Sequence, residues 1–240
     1  MRKNSQLILG IAIGAIILAS IVFVFLRAAD GSIDVVETGS AASFEKVLTA
    51  SADRVTVDEK NPVWSLEAPD GSAWFNWSAD YSKSSLYDIM LEIDEEPFVQ
   101  AGLDVSKLPE YYKASEGILT LGVKLGNDKL AYEGESTPLV AFEQIVDKYR
   151  GTLGYHTALD HYNVSLGNGN MFEWAKDMQI NSVTKEKQDK DIVFVLNPEP
   201  LIAAGVDPEK VEGWIYTTVN VEMNGKAQDV YKFLKPFDLE

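Results

Sequence analysis

The chain is expected to fold as an α+β protein: an N-terminal transmembrane helix followed by two tandem homologous α+β repeats, each a helix packed on a mainly antiparallel sheet. Three observations lead there. An uncharged apolar run lies near the N-terminus, a block of sequence occurs twice, and each occurrence pairs one amphipathic helical stripe with short strand-like runs bounded by turn signals.

The apolar run extends from Leu7 to Leu26 with Ser20 as its one polar member. At about 1.5 Å per residue a helix of this length covers the ~30 Å hydrocarbon core of a bilayer. Arg2 and Lys3 precede the run and Arg27 closes it, so basic residues are denser before it. The positive-inside rule then puts the N-terminus in the cytoplasm and the C-terminal domain outside. A cleaved signal peptide is the rival, but its apolar stretch covers only about 7–15 residues and a small-x-small site follows it. Here Arg27 precedes Ala28-Ala29 and spoils that pattern. Gly10 and Gly14 form a GxxxG, which would permit a weak homodimer in the membrane, although small residues are common in any such helix.

Residues 28–240 carry all 37 acidic groups and 18 basic ones (21 less Arg2, Lys3 and Arg27), a formal charge of −19. Such a surface repels phosphate backbones, so nucleic acid is not expected as a partner. The chain has no Cys, which removes disulfides, thiol nucleophiles, thiolate zinc sites and lipid attachment through a cysteine.

The duplicated block reads DIMLEIDEEPFVQAGLDVSK from Asp88 to Lys107 and DIVFVLNPEPLIAAGVDPEK from Asp191 to Lys210. Eight of the 20 ungapped positions are identical, against about one or two by chance. Upstream, Phe75-Asn76-Trp77 matches Phe172-Glu173-Trp174 and Phe44-Glu45 matches Phe142-Glu143, in the same order. The expected organisation is an anchor over 1–27, a linker over 28–40, repeat 1 over 41–130 and repeat 2 over 136–240.

Each repeat opens with a helix. Phe142, Ile145, Val146 and Tyr149 recur at helical spacing behind Thr137-Pro138, a cap and first-turn pair, and Phe44, Val47 and Leu48 give a shorter stripe. Strand-like runs around the aromatic blocks follow turns at Pro69-Asp70-Gly71 and Asn168-Gly169. Ile89 to Ile93 and Ile192 to Leu196 read as buried strands. Pro97 to Ala101 and Pro200 to Ala204 read as short helical turns closed by Gly102 and Gly205, and Asp104 and Asp207 as caps of a second turn. Hairpins end the copies: Ile118 to Leu125 with Lys129 to Tyr132, and Trp214 to Met223 with Asp229 to Leu234 around Asn224-Gly225.

Candidate contact residues are few. On a strand Phe75 and Trp77 share one face, as do Phe172 and Trp174, and serve a core; Trp74 and its counterpart Met171 point the other way and form a weak candidate ligand or partner surface. The other candidates are His156, Asp160 and His161. On one helix or one strand the two histidines do not share a face, so no metal ligand set is assigned. Asp94-Glu95-Glu96 lacks the calcium-loop spacing, and no HExxH, GxSxG, GxGxxG or P-loop occurs, so no catalytic residue and no cofactor is assigned. The sequons at Asn76 and Asn163 fall in expected strands and are read as chance.

Tether, duplication and acidic surface together suggest a membrane-anchored extracytoplasmic binding or assembly module. It would present its duplicated domain to an envelope protein, a membrane complex or an extracellular ligand, with the junction between copies as a place for a cleft. The alternative is a carboxylate-dependent enzyme acting on an extracellular or cell-wall substrate, with Glu173, opposite Asn76 in the other copy, as its asymmetric carboxylate.

Overall fold

In the computed structural model, residues 22–24, 30–58, 63–78, 87–124, 137–148, 153–156, 159–176, 190–223 and 226–239 are described. Two sheets of six antiparallel strands each, one of them extended to seven by the short parallel β1 (Val22–Val24), and a few helices make the body. The first copy comprises α1 (Asp30–Ala50), β2 (Val55–Asp58), β3 (Val63–Glu67), β4 (Ala73–Ser78), β5 (Ile89–Asp94), α2 (Glu96–Gln100), β6 (Lys113–Ser115) and β7 (Ile118–Val123). The second comprises α3 (Pro138–Lys148), β8 (Leu153–His156), β9 (His161–Gly167), β10 (Asn170–Ala175), β11 (Ile192–Leu196), α4 (Glu199–Ala203), β12 (Ile215–Met223) and β13 (Lys226–Phe237). The strand orders are β2-β3-β4-β5-β7-β6 and β8-β9-β10-β11-β13-β12, the same permutation of equivalent strands. A duplicated unit requires this.

The expected membrane helix is not shown. Of Leu7 to Leu26 only Val22–Val24 is described; it forms β1, extended and parallel to Asn220–Glu222 of β12, while the rest, including Gly10 and Gly14, lies outside the described residues. No helix among the described residues is long and apolar enough to cross a membrane. The stretch expected as a linker is helical from Asp30 onward, and with the first proline of the chain at Pro62 nothing in that stretch breaks the helix.

Local chemistry explains the short elements. Asp104 and Asp207 accept from the amides of Ser106 and Glu209 at 3.2 and 3.3 Å, and Lys107 and Lys210 close on the same carboxylates at 3.0 and 2.6 Å. Those bonds hold both carboxyls below the usual range, led by Ser106 at Asp104 and by Lys210 at Asp207. Asp88 and Asp191, also repeated, are buried at the start of β5 and β11; Asp191 accepts from the Leu239 amide at 2.8 Å and so fastens the C-terminal strand.

One hydrophobic core serves both copies, and its centre is built from equivalent residues meeting each other. Phe44 stacks on Phe142 with ring centroids 3.8 Å apart, and Phe75 stacks on Phe172 at 4.0 Å and 5° between planes. The Asp104 amide donates to the Ala204 carbonyl, and the Asp207 amide to the Ala101 carbonyl, each at 2.8 Å. These reciprocal contacts define an internal two-fold axis. The helices cross it: Ser43 Oγ of α1 donates to the Ala175 carbonyl at 2.7 Å, and Trp77 Nε1 donates to the Pro138 carbonyl of α3 at 2.9 Å. Each helix thus bonds to the other copy's sheet as well as bridging the core, so the expectation of a helix packed on its own sheet is refined to a shared pair. The junction where a cleft was expected is filled by phenylalanine and tryptophan rings.

The outer faces differ. β5 alternates buried and half-buried residues, as a sheet with one covered face does, whereas every residue of β11 is buried. Met171, Val193, Val195, Val219 and Leu234 form a second apolar cluster on the outer face of the second sheet.

Candidate functional site

Two places distinguish the second copy from the first, and both are absent from the pattern the repeats share. The first is an open groove of about 470 Å³ where the β3–β4 turn of the first copy meets the β12–β13 ribbon of the second. Pro69 and Asp70 form one wall; Trp214, Ile215, Lys235 and Phe237 form most of the other. Strand register explains why a lysine stands there. Leu121 pairs with Leu91 in the first sheet, and Lys235 pairs with Phe194, the equivalent of Leu91, in the second, so Lys235 occupies the position held by Leu121.

Lys235 is almost fully buried and well partnered. Its ammonium donates to Asp70 Oδ2 at 2.6 Å and to the Gly213 carbonyl at 3.3 Å, and lies 5.6 Å from the centre of the Trp214 ring. Burial acts to raise the Asp70 carboxyl, but hydrogen bonds from Lys235 and Ser72 outweigh it and hold the group below its usual range. The ion pair therefore makes the groove electrically neutral. Trp214 is buried, and its Nε1 has no hydrogen-bond acceptor among the described residues. Ile215, 37% exposed, begins β12, whose outer edge, among the described residues, carries a partner strand from Asn220 to Glu222. The groove is thus an apolar trough with a buried ion pair at its side.

The second place is a buried array on the outer face of the second sheet. His156 and His161 are cross-strand partners in the β8–β9 hairpin, and Glu173 lies diagonally across β10, two residues from Ala175, the partner of His161. Their Nδ1 atoms approach Glu173 Oε2 at 3.8 and 3.7 Å, and all three side chains are essentially inaccessible. Burial acts to raise the Glu173 carboxyl; the two imidazoles overcome it and hold the group low. No group of three ligand side chains among the described residues is arranged to hold a metal ion. The arrangement is a carboxylate flanked by two imidazoles.

The candidate residues read from the sequence are only partly brought together. His156 and His161 face the same way because two strands, not one, carry them as cross-strand partners, an arrangement that the spacing along a single helix or strand does not reveal. Both are buried. Asp160 stands in the turn between them with φ 55°, accepts from the Tyr155 hydroxyl and pairs with Lys176 at 3.7 Å, apart from the array. Trp74 is half-buried, beside Glu67 and Glu92. Met171 is 3% exposed and belongs to the second apolar cluster, so it offers no contact surface in this arrangement: Val195, its register partner on β11, supplies apolar cover where the first copy has Glu92. Asn76 and Asn163 are buried, Asn76 donating to Glu92 at 2.7 Å.

Sequence reasoning missed the groove. Its available signal was Lys235 inside the alternating run Phe233-Leu234-Lys235-Pro236-Phe237, but only the register of β13 on β11 shows that this lysine replaces a core leucine. No family model, no curated protein and no solved structure matches the chain.

Proposed function

We propose that the chain is a membrane-anchored extracytoplasmic binding or assembly module, and that the groove between Asp70 and Lys235 is where it meets its partner. The observation that carries this reading is the Leu121-to-Lys235 difference between otherwise equivalent strands. A core position has been given to a cation that bonds across to the other copy, beside an apolar trough. The sequence supports the tether: Leu7 to Leu26 is an uncharged apolar run long enough to span.

Two experiments test the two halves of the proposal. The chain contains no Cys, so single cysteines introduced by Ser5→Cys and Lys113→Cys can be probed with an impermeant maleimide in intact cells. Labelling at position 113 alone is expected, and labelling at position 5 alone overturns the orientation. For binding, full-length tagged protein and its Ile215→Glu variant are purified from native membranes in mild detergent. Co-purifying protein that is lost with Ile215→Glu supports the groove; the same set of proteins with both, or none with either, counts against it.

A further inference from the structure

We infer that His156, His161 and Glu173 form a proton-dependent clasp: a proton held between carboxylate and imidazoles keeps the β8–β9 hairpin closed on β10, and its loss releases the edge strand β8. The clasp lies apart from the groove and does not depend on it. It begins with a buried charge. Glu173 is 1% exposed, and the Nδ1 atoms of both imidazoles face the same oxygen, Oε2, at 3.8 and 3.7 Å. The other oxygen, Oε1, has no hydrogen-bond partner. A buried carboxylate so placed is compensated when an imidazole beside it is protonated, and is left without a contacting counter-charge when both are neutral. The closed hairpin therefore binds this proton more tightly than an open one, in which water reaches the carboxylate. By linkage, closure is favoured at lower pH, and that contribution is lost as rising pH removes the proton.

The strand that yields is β8. Among the described residues it ends the strand order of its sheet and pairs with β9 alone, over the four residues Leu153 to His156, of which His156 is the one that is buried. Tyr162, Val164 and Leu166 hold β9 in the common core. The first copy lacks the array, since strand register puts Asp58, Val63 and Asn76 at the equivalent positions. The neighbouring charges are placed differently. Lys232 of β13, on the same face, donates to the Gly169 carbonyl at 2.7 Å, and burial holds its ammonium below the usual value although Glu199 and Glu173 act to raise it. Asp160 and Lys176 pair with each other beside the hairpin turn. On β11 Glu173 meets Val193, and β1, which touches β8, has no ionisable residue. Helix α1 approaches the hairpin from the opposite face, where Gly39 adjoins Tyr162.

The test uses full-length protein without a histidine tag, in detergent micelles and with isotope-labelled histidine. The chain has two His, so two ring signals report the array directly. From about pH 6 to about pH 9 the rings are followed by NMR, and the β8 amides by quench-flow hydrogen exchange normalised to intrinsic rates. Exchange in β8 is expected to rise about tenfold as the ring proton leaves, with β11 unchanged. Ring deprotonation without a change in β8, a change in β8 before either ring titrates, or equal acceleration in every strand overturns the inference. Glu173→Gln, which removes the buried charge, is expected to make β8 exchange independent of pH over this range, whatever its level; a release with an unshifted midpoint overturns the clasp. Lys232→Met is expected to keep the release. A release that this variant abolishes assigns the pH dependence to Lys232 and likewise overturns the inference.

Discussion

At the scale of single residues, the glycines repeated between the copies have a reason that only the assembled body supplies. A Cβ on Gly102 would lie 2.8 Å from the Gly205 carbonyl oxygen, and one on Gly205 would lie 2.7 Å from that of Gly102, at φ values of 105° and 109°. Both atoms are backbone, so neither can step aside. Gly102→Ala or Gly205→Ala is expected to cost about 3 kcal/mol, from backbone strain and the broken approach together, read as a shift in urea midpoint at constant slope. The double variant should cost less than the sum, because the first substitution already parts the two turns. Glu173 gives a pH prediction. Its folded carboxyl lies below the ordinary value of 4.5, so the stability it contributes is complete above that value and is lost as pH falls through the lower folded one. Glu173→Gln should flatten the acid limb of the stability–pH profile below about 4.5 and cost about 1–3 kcal/mol near neutrality, where it removes the buried carboxylate that both imidazoles face. An unchanged acid limb would remove Glu173 from that role.

At the scale of elements, legibility followed the range of the interaction. The Asp104 and Asp207 turns were readable because acceptor and amide are two residues apart, and the α3 start because Thr137 Oγ1 meets the Val140 amide within one turn, at 3.2 Å. Thr137→Ala should therefore cost about 1 kcal/mol in chemical denaturation. The inward faces of β4 and β10 were readable from period two. What escaped were matters of register and partner. His156 and His161 share a face only because β8 pairs with β9 in one register, and Lys235 lines a groove only because β13 lies on β11. Met171 looked like an outward residue and does point outward, but the second sheet is covered on both faces, as the continuous apolar run of β11 could have suggested.

At the scale of the whole molecule, the two copies are one folding unit. Phe75 and Phe172 stack across the axis, and both are fully buried by that contact and its surroundings. Residues 41–130 and 136–240 expressed separately would expose these rings, and each is expected to show no cooperative melting transition, whereas co-expressed halves should recover one. Two independent transitions from the intact chain would contradict a common core. Phe75→Ala belongs to the same test, with an expected loss of about 3–5 kcal/mol.

The self-pairing of Phe44 with Phe142, Phe75 with Phe172 and Gly102 with Gly205 is the geometry of an isologous interface, in which one surface patch meets its own copy. The body is in that sense a dimer joined end to end within one polypeptide. In a dimer of identical subunits every substitution appears twice, and a lysine at the Leu121 position would have been buried on both sides of the axis. Joining the subunits in one chain lets a single side change. Lys235 shows that freedom in use: one half keeps the leucine that closes the core, and the other bears the cation that opens a groove beside it.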